Sequence, residues 1–77
     1  MEDFKKQVRG SFRTEMVAAG LYAVLAEQYG KKNRDIYDKL KEASEQEFMH
    51  GRMFNQFMRS RWGHSAGNEK IWIALGR

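Results

Sequence analysis

The sequence predicts an all-α fold: an antiparallel two-helix hairpin with a short C-terminal segment, two copies of which close into a four-helix bundle. Three observations predict it. Apolar residues recur at alternating spacings of four and three along two long stretches, which is the periodicity of a helix with one buried stripe. No proline is present to interrupt either stretch. The link between the stretches is too short for anything but an antiparallel hairpin.

The first stretch runs through Phe4, Val8, Phe12, Glu15, Ala19, Tyr22, Ala26 and Tyr29, with Met16 and Ala23 widening its apolar face. Gly10 loosens its start, so the firm helix is expected over about residues 11–29, with Ser11 as N-cap. Gly30 falls where a helix C-terminus favours glycine. Asn33 or Asp35 then caps a second helix over about residues 33–60, whose seam reads Ile36, Leu40, Ala43, Glu47, His50, Phe54 and Phe57. At the usual rise per residue that helix is roughly 40 Å long. The run from Trp62 to Asn68 is rich in glycine and small polar residues and reads as a loop. The C-terminal segment, residues 68–77, is short enough to be helical or extended; a short helix capping an open end of the bundle is the favoured reading.

A chain of 77 residues forms a single domain with a modest core. The absence of cysteine excludes disulfides, iron–sulfur clusters and thiolate zinc sites. The N-terminus, MEDFKKQVRG, has no apolar run, and no stretch reaches the length of a membrane span, so the expected location is the cytoplasm and no membrane partner is expected. The net charge of +4 permits an anionic partner. The basic residues are dispersed along the sequence among acids, the pattern of a solvated surface, and nucleic acid is therefore not an expected partner.

What interrupts the seams is more informative. Glu15 occupies an apolar position of the first helix, and Glu47 and His50 occupy consecutive seam positions of the second. Burying a carboxylate without compensation is expensive. If the hairpin turns near residue 31, Glu15 and Glu47 lie level with each other, because their numbers sum to twice that position. His50 is one turn from Glu47 on the same face. One hairpin cannot enclose this cluster, whereas a twofold pair of hairpins can, bringing four carboxylates and two imidazoles to the centre of a bundle. Two divalent cations balance those four charges. Oxygen-rich ligation with one imidazole per metal suits iron or manganese better than structural zinc.

That ligand set, one Glu from each of two helices and Glu-x-x-His from each of two others, is the pattern of di-iron carboxylate bundles. The segments EMVAAGLYAVLAEQYG and KLKEASEQEFMHGRMF resemble rubrerythrins and related ferritin-like proteins over residues 8–58. The resemblance implies oxidation of ferrous iron by dioxygen or peroxide, with two irons per dimer. It implies Glu15 as the first-helix ligand, Glu47 as a metal-bridging carboxylate and His50 as the terminal imidazole. The chain departs from complete rubrerythrins in carrying half of the bundle and no cysteine-ligated iron module. In that respect it is more similar to two-helix ferritin-like proteins, some of which are cargo of protein shells; residues 71–77 carry no recognised shell-targeting signature. Two rivals stand beside this reading: a metal-stabilised interaction module without turnover, and a basic helical nucleic-acid binder.

Further residues are weighed on the same terms. Glu15 could instead pair with Arg13 or Arg52. Tyr22, two turns from Glu15, is either a hydrogen-bonding neighbour of the metal or a core tyrosine. His64 is expected in solvent, and Glu42 and Glu45 are expected to be solvated helix surface rather than a transient iron-uptake site. The methionines and phenylalanines around the second helix are too many for one narrow seam, which favours burial of more than one face. Gly51, directly after His50, marks either a close helix approach or a π-bulge.

Overall fold

An alternation of four and three becomes a stripe only on a continuous helix. The computed structural model, which describes residues 2–77, has two: α1, Glu2–Tyr29, and α2, Arg34–Trp62, followed by a short α3, Glu69–Gly76. Gly10 does not interrupt α1. Val8 and Phe12 on either side of it are buried, and their packing offsets the roughly 1 kcal/mol that a mid-helix glycine forfeits against alanine. Glu2 and Asp3 occupy the first turn, where the helix dipole favours acids. Asn33 caps α2, its side-chain oxygen accepting from the amides of Asp35 and Ile36 at 3.0 and 3.2 Å. Gly63 ends α2 in the left-handed conformation, φ 79°, and its amide donates to the Arg59 carbonyl. The helices form an antiparallel rod, 47 × 18 × 17 Å along its principal axes.

The core of the single chain lies toward the open end of the hairpin. Val8, Phe12 and Met16 of α1 meet Met58 of α2 and Ala66 of the loop, with Phe48, Phe54, Trp62, Trp72 and Ile73 packed around them. Asn55 is the buried polar residue of this region. Its Oδ1 accepts from the Ala66 amide at 2.7 Å, and its Nδ2 donates to Gly67 O and to Glu69 Oε2. One side chain thus satisfies the backbone of a loop folded back on α2.

The C-terminal segment is helical, but it does not cap an end of the bundle. α3 lies along the flank of α1, so close that a Cβ on Gly20 would overlap the Ile73 carbonyl and one on Gly76 would overlap that of Val17. Arg13 stacks over the Trp72 ring at 4.8 Å, and Arg77 donates to Glu27 at 2.7 Å. The small residues beside Ala19 and Ala23 therefore admit α3. Gly51 answers to Met16, whose terminal methyl fills the space a Cβ would take; α2 is regular α-helix there, without a π-bulge.

The face that α2 buries within one chain differs from its sequence seam. Gly51, Asn55 and Met58 are buried. Ile36, His50 and Phe57 of the seam are exposed, and Leu40, Ala43, Glu47 and Phe54 are half-buried. On α1 the seam residues Val8, Phe12, Ala19 and Ala26 are buried, while Phe4 and Tyr29 are exposed. The loop and α3 supply apolar cover to one side of the hairpin, and the seam of α2 faces the other. Among the described residues no helix is long and apolar enough to cross a membrane.

The basic residues are also less dispersed in space than along the sequence. Residues 2–14 and 51–68, which form the open half, carry seven Lys or Arg against two acids. Residues 15–50, which form the half containing the turn, carry five against seven.

Candidate metal centre

The two helices pass each other antiparallel about a turn at residues 30–33, so residues equidistant from that turn come level. Glu15 on α1 therefore meets Glu47 on α2, and His50 lies three residues further on the same side. One ligand atom from each of the three lies within 4.8 Å of the others. His50 Nδ1 is 3.5 Å from Glu15 Oε2 and 3.8 Å from Glu47 Oε1. The two carboxylates are about three-quarters covered, and the imidazole is half in solvent.

The electrostatics of this group are unresolved by the protein alone. Glu15 Oε2 is buried without a hydrogen-bond partner. Neither arginine that could neutralise Glu15 does so: Arg13 stacks on Trp72, and Arg52 pairs with Glu69 at 3.8 Å. Glu47 holds its proton above the usual carboxylate range. The first cause is the hydrogen bond its carboxyl makes with Glu15, followed by burial and the Glu15 charge, with His50 opposing. A carboxyl that holds its proton against a second carboxylate, beside an imidazole, is an arrangement that a cation would relieve.

The donor set fits a divalent metal ion. Metal–oxygen and metal–nitrogen bonds of about 2.0–2.5 Å place donors on opposite sides of one ion about 4–5 Å apart, close to the spread of this group. Three donors are half of the six that a hard divalent ion takes, so one chain presents an incomplete shell.

The group opens into a groove of about 560 Å³ running toward the open end, lined by Phe4, Val8, Met53, Phe54 and Phe57 together with Gln7, Ser11, Glu15 and His50. Gln7, Ser11 and Glu15 are spaced four apart and form a polar line on an otherwise apolar wall. Ser11 is expected from the sequence as the N-cap of α1, and Gln7 is not singled out there. α1 begins at Glu2, so Ser11 lies inside the helix, and the spacing of both residues from Glu15 places them on its face. At the far end of the groove Phe4, Phe57 and Trp62 pack edge to face, with centroids 5.8–6.0 Å apart.

The other candidates stand apart. Tyr22 is half-buried on α1 and is not a member of the ligand group. His64 is exposed, its Nδ1 3.2 Å from the Ser65 carbonyl oxygen. Glu42 and Glu45 are exposed, and Glu42 accepts a bond from Gln46.

No curated protein and no solved structure matches this chain. The family model for rubrerythrin matches residues 6–73, a span that contains both long helices, the loop and the start of α3. With Glu15, Glu47 and His50 converging on one level of a helical hairpin, this chain belongs to the rubrerythrin family of ferritin-like di-iron carboxylate proteins.

Proposed function

We propose that two copies of this chain pair over the groove into a four-helix bundle, and that Glu15, Glu47 and His50 of both hold two iron ions that are oxidised by dioxygen or peroxide. The observation that carries this reading is the half-open carboxylate–imidazole group with its unpartnered Glu15 oxygen. A second copy supplies what one chain lacks: three more donors, and apolar cover for Phe4, Met53 and Phe57, all exposed in the single chain.

Charge supports one orientation. A twofold axis across the rod at the level of Glu15 lays the basic open half of one copy against the acidic turn half of the other, whereas pairing like ends opposes charges of the same sign. Glu15 and Glu47 would hold the metal as anionic oxygen ligands and His50 as an imidazole donor. The proton that Glu47 holds above the usual carboxylate range would leave on metal binding, so uptake releases it. When bound, the iron pair supplies the electrons, one from each ferrous ion. The apolar groove wall limits water, and Gln7 and Ser11 leave a polar line toward the ligands. The same donors accept manganese or zinc, which makes loading conditions part of the test.

The test is anaerobic addition of ferrous iron to metal-free protein, followed by air, with absorbance and assembly mass recorded together. Saturation near one iron per chain, an even-numbered assembly and rapid oxidation lost in Glu47→Ala support the proposal. Binding without accelerated oxidation leaves a metal-stabilised interaction module. A monomer that takes up no iron, yet binds nucleic acid with steep salt dependence, replaces it with the basic-binder reading.

A further inference from the structure

The four methionines among the described residues divide sharply. Met16 and Met58 are fully buried in the core, whereas Met49 and Met53 are 57% and 62% exposed on α2. Only Met53 of the exposed two lines the groove that Glu15 and His50 share; Met49 lies beside a separate, smaller depression toward Ala23 and Ile73. Met53 is three residues beyond His50, one turn along the helix from a ligand.

From this placement we propose that Met53 is a site of oxidative modification by peroxide, and that its oxidation opposes closure of the groove by a second copy. The inference rests on the pairing put forward under Proposed function. In the step, the thioether sulfur attacks one oxygen of hydrogen peroxide, an S–O bond forms and the O–O bond breaks. The second oxygen takes the proton carried by the first and leaves as water, and the sulfur is oxidised by two electrons as the peroxide is reduced. The product is a sulfoxide: a flexible apolar side chain becomes a polar acceptor in a wall otherwise made of Phe4, Val8, Phe54 and Phe57. Pairing would bury that acceptor against apolar surface without a donor. An unpaired chain in excess peroxide would thereby be kept from assembling a reactive metal pair.

The experiment uses the metal-free full chain and dilute hydrogen peroxide. Peptide mass mapping locates the added oxygen, and sedimentation measures pairing before and after treatment, for the natural sequence and for Met53→Leu and Met49→Leu. Expected are oxidation of Met49 and Met53 ahead of Met16 and Met58, and pairing weakened about tenfold or more, the scale of burying an unpartnered polar group. That loss persists in Met49→Leu and is absent in Met53→Leu. Full pairing after Met53 is oxidised, or equal loss in Met53→Leu, overturns the inference while leaving the dimer intact. An untreated chain that never pairs overturns the dimer itself, and this inference with it.

Discussion

His50 and Gly51 are neighbours in sequence and belong to opposite sides of the molecule. On the Gly51 side the hairpin is closed: Met16 fills the space beside the glycine, Asn55 holds the returning loop, and α3 lies against Gly20. On the His50 side it is open, with Phe57 at 39%, Phe4 at 42% and Met53 at 62% exposure and a carboxylate oxygen left without a partner. The closed side spends its apolar residues on one chain's stability. The open side leaves apolar residues and three metal-type donors uncovered, the surface that the proposed pairing would close.

The largest difference between the sides should be seen on truncating a phenylalanine on each. Phe12→Ala removes a fully buried ring and should cost about 3–5 kcal/mol, enough to unfold much of a chain whose total stability is on the order of 4–12 kcal/mol. Phe57→Ala should leave thermal unfolding of the dilute, metal-free chain within about 1 kcal/mol of the natural sequence while weakening pairing. Equal losses in circular-dichroism melts would break the distinction.

Next in size is Glu47→Gln. Metal affinity should fall beyond the roughly 10–100-fold that removal of an outer-shell partner costs, as read by ferrous titration. The metal-free fold should respond in the opposite sense. Glu47 binds its proton more tightly folded than unfolded, so the folded chain is favoured below the ordinary carboxylate range. That advantage is lost as pH rises through the elevated pKa. Glu47→Gln should flatten this dependence in melts recorded across acidic to neutral pH. Metal uptake in the natural chain should weaken as pH falls through the same range, because the proton competes with the metal.

Gly20→Ala tests the closed side from the α3 direction. The added methyl meets backbone, which cannot yield as a side-chain tip can, so about 1–3 kcal/mol of stability should be lost as α3 is displaced. The smallest effect is a gain. Gly10 has nothing within reach of a Cβ, and Gly10→Ala should raise stability by about 0.5–1 kcal/mol. An unchanged melting temperature would mean that the first turns of α1 fray in the lone chain.

Much of the fold and of the ligand group was legible in the residues. Periodicity gave two long helices, and equal distance from a turn near residue 31 was enough to set Glu15 level with Glu47. The start of α1 was less legible, because a local penalty at Gly10 is outweighed by burial of Val8 and Phe12, which becomes visible only when their neighbours are in place. Asn55 gave no signal: among Gln56, Arg59 and Ser60 it reads as surface, and it is buried because a loop eleven residues further on needs its oxygen. Arg13 and Arg52 were plausible partners for Glu15 on spacing, and tertiary neighbours claimed both.

The sequence by itself determined the helices and the level at which two acids and a histidine meet, since rise per residue and chain reversal are local geometry. Only the tertiary structure decided which face of α2 one chain buries. That choice depends on where the loop and α3 bring their apolar mass, and α3 docks with Ile73 against Gly20 and its own Gly76 against Val17, contacts between segments more than fifty residues apart. With that side covered, the seam carrying Glu47, His50 and Phe57 was left facing outward.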